Sequence, residues 1–85
     1  MPTLMEAFEQ ATQEAQQLPE RPDNATLLRL YGLYKQATEG DNTVPKPGFF
    51  DFVGTAKHEA WSRLKGTERE EAMRQYVDFV NELRS

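Results

Sequence analysis

The sequence predicts an all-α protein, a bundle of four helices around one small core. Apolar residues recur every three or four positions in four separate segments, which is the period of a helix with one buried face. Helix-starting residues and helix-ending Gly or Pro residues stand at the borders of these segments. No segment alternates apolar and polar residues over the length of a strand, so no sheet is predicted. The 85 residues are expected to form a single domain, 1–85.

The first helix is predicted to begin at Thr3, which has the spacing of a capping box with Glu6. Pro19 and Pro22 end the helical pattern. The residues that share its apolar face are Leu4, Phe8, Ala11, Ala15 and Leu18.

The second helix is predicted between Asp23, a favourable N-cap, and Gly40, a residue type that commonly follows a helix end. Its apolar stripe consists of Leu27, Leu30, Tyr34 and Ala37, and its edge of Leu28, Tyr31 and Lys35. A lysine at such an edge can lay its methylene groups along neighbouring rings and aim its ammonium group at an anion. Lys35 is therefore a candidate anion-binding residue.

A long Pro-rich loop is predicted between the second and third helices, from Asp41 to about Phe50. Three aromatic residues, Phe49, Phe50 and Phe52, stand at its end. We interpret them as anchors that hold the loop against the core. The alternative is that one of them lines a ligand tunnel.

The third helix is predicted to begin at the N-cap Asp51 and to end near Lys65 and Gly66. Lys57 and Trp61 form an i,i+4 pair beside its apolar stripe, which repeats the pattern around Lys35. The residues expected to face inward are Val53, Ala56, Ala60 and Leu64.

The fourth helix is predicted to follow Thr67, which has the spacing of a second capping box with Glu70. Arg84 lies near its C-terminus, where a cation complements the helix dipole. The apolar face consists of Met73, Tyr76, Val77, Val80 and Leu83.

The net charge of −4 argues against binding to nucleic acid or to anionic membranes, since both favour an excess of Lys and Arg. Only residues 29–65 carry more cations than acids, which is compatible with a compact anion bound there. The chain has no cysteine, which excludes disulfides and thiolate metal sites and favours an intracellular location. Because no secretory signal or membrane-spanning run is present, we expect a cytoplasmic protein without stable membrane insertion.

The inventory of reactive groups predicts neither catalysis nor a metal site. His58 is the only histidine, and Ser62 lies one helical turn beyond it. Such a pair on one helix face has neither an oxyanion hole nor an orienting acid. Without a second histidine in this turn, the helical zinc pattern is absent as well. We interpret His58 as a surface or rim residue.

Lys35 and Lys57 are the best candidates for binding phosphate groups, since the sequence has no Gly-rich phosphate loop. Tyr31 and Tyr34 accompany the first lysine and Trp61 the second. An ammonium group and a phenol can hold a phosphate together, and an aromatic face can stack on a purine. The alternative, that both lysines only cover the edges of the core, is favoured by the residue pattern alone.

The sequence resembles the acyl-CoA-binding protein family over nearly its whole length. The resemblance is carried by Tyr-x-x-Tyr-Lys-Gln-Ala-Thr-x-Gly-Asp at residues 31–41, by Pro-Gly-Phe-Phe-Asp-Phe at 47–52, and by Ala-Lys-His-Glu-Ala-Trp at 56–61. It implies an up-down-down-up bundle that binds medium- to long-chain acyl-CoA esters one to one. It further implies a non-enzymatic intracellular carrier. We also expect a monomer that needs no cofactor and contacts acyl-CoA-using enzymes at most transiently.

The resemblance also implies roles for individual residues. Tyr31 and Lys35 would bind the 3′-phosphate of the ribose, and Tyr34 would stack on the adenine. Lys57 would supply a second cation to the phosphates. Tyr76 matches a further ligand-contacting tyrosine. Leu27 and Leu28 match apolar positions of the headgroup site, and the acyl chain would lie in a groove closed by the loop and the third helix.

Three positions depart from the common family pattern. Gln16 stands where the family commonly has a ligand-binding lysine, and His58 stands where many members have an aromatic residue. Thr55 replaces a frequent lysine. We expect these departures to affect headgroup affinity and chain-length preference.

An alternative function is a helical protein-interaction module. In that hypothesis Trp61, Phe49 and Phe50 are exposed and dock a partner helix.

Overall fold

The computed structural model describes residues 1–85 and contains four helices and no strand. The helices are α1 (Leu4–Ala15), α2 (Asn24–Glu39), α3 (Phe52–Ser62) and α4 (Arg69–Arg84). This confirms the predicted all-α class and the order of the elements. No helix has both the length and the apolar character needed to cross a bilayer.

Contacts near the helix ends fix the directions of α1, α2 and α4. The Arg84 guanidinium lies 3.0 Å from the Glu14 carboxylate, so the last turns of α4 and α1 are neighbours and the two helices run parallel. At the other end, Arg69 of α4 donates a hydrogen bond to the Glu39 carbonyl oxygen of α2 at 3.4 Å. Because the start of α4 meets the end of α2, these two helices are antiparallel.

The third helix runs parallel to α2 and packs against α2 alone. Lys57 lies over Tyr31, and one turn further along both helices Lys35 lies over Trp61. The residue numbers of the contacting pairs increase together in both helices, so the two helices are parallel. This confirms the up-down-down-up arrangement. Because the two helices are parallel, the chain between them must run back from the end of α2 to the start of α3. The Pro-rich loop spans this distance.

The core lies where α1 and α2 pack against α4. Gln36, Leu33 and Val80 are the largest completely buried side chains. The buried apolar residues that contact one another are Phe8, Ala11, Leu30, Leu33, Ala37, Ala72, Met73, Tyr76 and Val80.

Three of the four predicted helix caps are present. Thr3 and Glu6 form the complete capping box, with hydrogen bonds of 3.0 and 3.1 Å. Asp23 caps α2 and Asp51 caps α3. The capping box predicted for α4 is wrong, because Glu68 is the N-cap and no side chain caps the helix.

The backbone of Thr67 is engaged elsewhere, which explains the missing cap of α4. Its carbonyl oxygen accepts a hydrogen bond from the Gln36 side chain at 2.7 Å, and its N–H donates to the Leu64 carbonyl oxygen at 2.9 Å. Thr67 therefore belongs to the connection between α3 and α4, and the helix starts one residue later. In the same way, residues 63–66 form turns rather than the predicted last turn of α3.

The aromatic residues at the end of the loop do not anchor it. Phe49, Phe50 and Phe52 are 85%, 82% and 73% exposed, and Val53, predicted to face inward, is 68% exposed. Since α3 packs only on α2, its first turn has no second neighbour to bury these side chains. The prediction that they pin the loop to the core is wrong.

Polar contacts hold the loop instead. The Asn42 side chain donates to the His58 carbonyl oxygen at 3.2 Å and to the Ser62 hydroxyl at 3.0 Å. The His58 ring nitrogen Nε2 lies 2.6 Å from the Val44 carbonyl oxygen. His58 is thus a rim residue, as predicted, and Ser62 is a loop-anchoring partner.

Close approach of α2 and α3 depends on Gly32. A Cβ at this position would lie 2.7 Å from the Ala60 carbonyl oxygen, which is too close for any side chain. The two backbones therefore meet at a point where only glycine fits.

We predict that Gly32→Ala lowers the free energy of unfolding by about 1 kcal/mol or more. Because the overlap is with backbone atoms, its cost lies toward the upper end of the usual range of about 1–3 kcal/mol, which exceeds the gain in helix propensity of about 1 kcal/mol. Urea unfolding followed by circular dichroism measures the change. Gly48→Ala is the matched control, because a Cβ there has no neighbour within 4 Å. A Gly32→Ala protein at least as stable as the wild type would contradict the proposed role of this contact.

Candidate ligand-binding site

Tyr34 lies in a cluster of three aromatic rings from α1, α2 and α4. Its ring stacks on Phe8 with centroids 5.8 Å apart, and the Tyr76 ring lies 6.3 Å away. Phe8 and Tyr76 meet edge to face at 5.2 Å. Tyr34 nevertheless remains 43% exposed, so part of its ring is available to a planar ligand group.

Tyr76 lies deeper than the other predicted site residues, with only 5% of its surface exposed. Burial, and to a smaller extent the nearby Tyr34, raise the pKa of its hydroxyl. The group is therefore a neutral phenol at physiological pH. Most of this side chain belongs to the core, where it supports the ring of Tyr34 from behind.

Lys35 is held by two neighbours. Its ammonium group pairs with the Glu39 carboxylate one turn later and lies 4.8 Å from the centre of the Trp61 ring. The hydrogen bond to Glu39 raises the pKa of Lys35 despite partial desolvation, so this residue is a cation throughout the physiological range.

Trp61 is part of this support and is not a docking residue. Its indole is 4% exposed, and its Nε1 donates a hydrogen bond to the Gly40 carbonyl oxygen at 2.8 Å. The hypothesis of an exposed Trp61 is therefore wrong. The ring is buried because it fills the space between the end of α2 and the side chain of Lys35.

Lys57 is a cation without a carboxylate partner. Its ammonium group lies 5.3 Å from the centre of the Tyr31 ring, a distance at which the ring face attracts a cation. None of the ion pairs in the structure involves Lys57. Its charge is thus available to an external anion.

The face where α2 meets α3, which we call the seam, brings the predicted polar residues together. Tyr31 and Lys35 are one turn apart on α2, and Lys57 approaches Tyr31 from α3. Tyr34 lies beside them, toward α1. Two cations and two phenols therefore share one surface, while Tyr76 sits behind it.

An apolar groove of about 440 Å³ opens along the seam. A groove of this volume falls within the range of small-molecule sites. Both predicted leucines lie in it, together with residues that the sequence analysis did not identify. Its lining is Arg21, Asn24, Leu27, Leu28, Tyr31, Phe52, Val53, Ala56 and Lys57.

A second depression of about 440 Å³ lies on the other side of the seam and shares Leu28 and Ala56 with the groove. Its lining includes the carboxylate of Glu59, and Arg63 lies 4.0 Å from that carboxylate. The groove beside Tyr31 and Lys57 has no carboxylate in its lining, so it is the better site for an anionic, partly apolar ligand.

Gln36 and Asp41 fasten the end of α2 next to the site. The Gln36 amide donates hydrogen bonds to the Asp41 carboxylate at 2.9 Å and to the Thr67 carbonyl oxygen at 2.7 Å. The N–H of Gly66 at 2.9 Å, followed by the Gln36 amide, holds the pKa of Asp41 below its usual value. These bonds join α2 to the connection between α3 and α4.

Taken together, the fold and the site define a small helical binding protein with an apolar groove and a cationic, tyrosine-lined mouth. No three His, Cys, Asp or Glu side chains converge on a point that suits a metal ion.

Comparison with known proteins assigns the chain to a family. Residues 5–80 match the family described as acyl CoA binding protein, and the chain belongs to this family. The resemblance noted in the sequence is thereby confirmed. The family is one of binding proteins, in agreement with the prediction that the chain is not an enzyme.

Individual relatives and a solved structure agree with this assignment. The chain is 45% identical over 80 residues to acyl-CoA-binding protein 2 of Saccharomyces pastorianus, covering 94% of the chain and 92% of that protein. It superposes on the crystal structure of Oryza sativa acyl-CoA-binding protein 2 with a TM-score of 0.91 and 42% identity, covering 95% and 90% of the two chains. It is also 48% identical over all 85 residues to enoyl-CoA delta isomerase 2 of Rattus norvegicus, of which it spans only 22%.

We predict that Asp41→Asn lowers the thermal midpoint at neutral pH and flattens its dependence on pH. Because folding lowers the pKa of this carboxyl, its ionised form stabilises the fold above the unfolded-state pKa. This contribution is lost as the pH falls through the folded-state pKa. Calorimetric scans between about pH 7 and pH 2 should therefore show the variant and the wild type converging in acid.

Asp78→Asn is the control for this measurement, since Asp78 is an exposed carboxylate of α4. Parallel curves for Asp41→Asn and the wild type over the whole range would contradict the assigned role of Asp41.

Proposed function

We propose that this chain binds medium- to long-chain fatty acyl-CoA esters one to one and carries and pools them without converting them. The observation that supports this most is the unpaired Lys57 at the mouth of an apolar groove, beside Tyr31. An acyl-CoA joins several negative charges to an apolar tail. A cationic mouth and an apolar groove meet both requirements at once.

In this proposal the phosphates of CoA lie on the seam. Lys57 and Lys35 pair with the 3′-phosphate and its neighbours, and the Tyr31 hydroxyl donates a hydrogen bond to it. Lys35 exchanges part of its pairing with Glu39 for the ligand, so its net contribution is smaller than that of Lys57. Lys57 has no such partner to give up.

The adenine stacks on the exposed part of Tyr34, which is fixed by Phe8. Tyr76 acts mainly through Tyr34, because nearly all of its surface is covered by the core. Leu27 and Leu28 form the apolar wall of the groove, and the acyl chain follows it toward Phe52 and Val53.

The departures from the family pattern leave the seam as the main anion site. Gln16 is the exposed C-cap residue of α1 and carries no charge. Arg21 lines the groove and supplies a cation that α1 lacks in this region. Headgroup affinity therefore rests on Arg21 and the two lysines.

We further propose that the carrier is a cytoplasmic monomer that delivers its ligand through transient contacts with acyl-CoA-using enzymes. The alternative function, a module that docks a partner helix, needs an exposed Trp61. Because this indole is buried, the docking surface that the hypothesis needs, with Trp61 beside Phe49 and Phe50, is not present.

We predict that palmitoyl-CoA binds with a stoichiometry of one, and at least about a hundredfold more tightly than CoA. Burial of only about four methylene groups is enough for this difference, at about 0.8 kcal/mol each. Isothermal titration calorimetry measures both affinities. Val53→Asn places a neutral polar amide in the groove at an exposed position and should weaken palmitoyl-CoA by about tenfold while leaving CoA unchanged.

Val44→Asn is the matched control, since Val44 is 53% exposed and lies outside the groove. Equal affinities for palmitoyl-CoA and CoA, or equal effects of the two substitutions, would show that the acyl chain lies elsewhere.

A further inference from the structure

The first turn of α3 and the residues before it present an uncovered apolar surface. This apolar tip consists of Phe49, Phe50, Phe52 and Val53, which are 85%, 82%, 73% and 68% exposed. The rings of Phe49 and Phe50 pack edge to face with centroids 5.1 Å apart, so they form one projecting unit. An exposed patch of this kind marks an interaction site more often than a chance surface.

The backbone of the tip indicates what kind of surface it meets. The N–H groups of Gly48, Phe49 and Phe50 donate no hydrogen bond within the chain. Burying such groups in a dry interface is costly unless the partner pairs each of them. The interfacial layer of a bilayer avoids this cost, because it takes up apolar side chains while headgroups and water bond the peptide groups.

The charges around the tip fit a phospholipid surface. Residues 42–57 contain two lysines and one aspartate, although the whole chain has a net charge of −4. The carboxylate of Asp51 caps α3 by accepting the N–H of Gly54 at 2.8 Å, and with it counted residues 42–57 still carry a net charge of +1. Lys46 and Lys57 are exposed and have no carboxylate partner, so they can meet lipid phosphates. The acidic remainder of the chain opposes strongly anionic membranes.

The tip is continuous with the groove. Phe52 and Val53 belong to the tip and also line the groove beside Leu28 and Tyr31. An acyl chain that leaves a bilayer at the tip therefore enters the groove without crossing open water.

We propose that the apolar tip docks reversibly on a phosphatidylcholine bilayer and turns the mouth of the groove toward the membrane. This proposal rests on the proposed acyl-CoA-binding function, because the membrane contact brings the groove to acyl chains in the bilayer. The Phe49 and Phe50 side chains enter the boundary between headgroups and acyl chains, and the peptide groups stay in the hydrated layer. Lys46 lies at the level of the phosphates.

Flotation of the ligand-free protein with phosphatidylcholine vesicles tests this proposal. Serine at both exposed phenylalanines, Phe49→Ser with Phe50→Ser, should lower the partition coefficient by about tenfold or more, since each ring loses its burial in lipid. Met5→Ser is the matched control. Met5 is a 50% exposed apolar residue near the start of α1, at the end of the bundle opposite the first turn of α3. This variant should partition like the wild type.

Two results would overturn the docking proposal: a wild-type protein that stays with the unbound fraction, or a double variant that floats as well as the wild type. The first result would direct the search for the tip's partner to proteins. Calorimetry with palmitoyl-CoA in solution separates the two proposals. A double variant that keeps its affinity for palmitoyl-CoA but loses vesicle binding supports docking, whereas vesicle binding without palmitoyl-CoA binding contradicts only the proposed function.

Discussion

The parallel contact between α2 and α3 at Gly32 is the constraint on which the site depends. Because a Cβ there would lie 2.7 Å from the Ala60 carbonyl oxygen, the two backbones approach as closely as glycine permits. This approach brings Lys57 over Tyr31 and Trp61 under Lys35. It also requires the long returning loop, since the start of α3 must lie beside the start of α2. The same geometry leaves α3 with one neighbour and its first turn uncovered.

The two lysines of the seam differ in their electrostatic surroundings. The positive charge of Lys35 is compensated by the Glu39 carboxylate, and the buried indole of Trp61 holds its side chain in place. Lys57 has only the face of Tyr31 as a partner, so its charge is open to a ligand. The arrangement combines a fixed cation with an available one, beside an apolar groove. That combination suits an amphiphilic anion better than a polyanion, in agreement with the net charge of −4.

Helical periodicity and caps were sufficient to predict the four helices, because each has apolar residues at helical spacing and three begin at a side-chain cap. They were not sufficient for contacts between elements. The phenylalanines at the end of the loop look like core residues in sequence, and only the isolation of α3 explains their exposure. The burial of Trp61 was missed because its partners are distant in sequence. Lys35 lies on α2, and Gly40 lies at the end of α2. Arg21 was missed because it precedes α2 and belongs to no helical pattern in the sequence. It lines the groove only as a result of tertiary packing.

In the proposed function, the unpaired Lys57 binds the 3′-phosphate at the mouth of the groove. The most direct measurement is the affinity of palmitoyl-CoA and of its 3′-dephospho analogue for the wild type, Lys57→Ala and Lys46→Ala. We predict that Lys57→Ala weakens palmitoyl-CoA by about tenfold, the size expected for one charge-assisted hydrogen bond, and weakens the dephospho analogue much less. Lys46→Ala, a loop lysine outside the groove, should leave both affinities unchanged. An equal loss for both ligands in Lys57→Ala, or no loss for either, would contradict the claim.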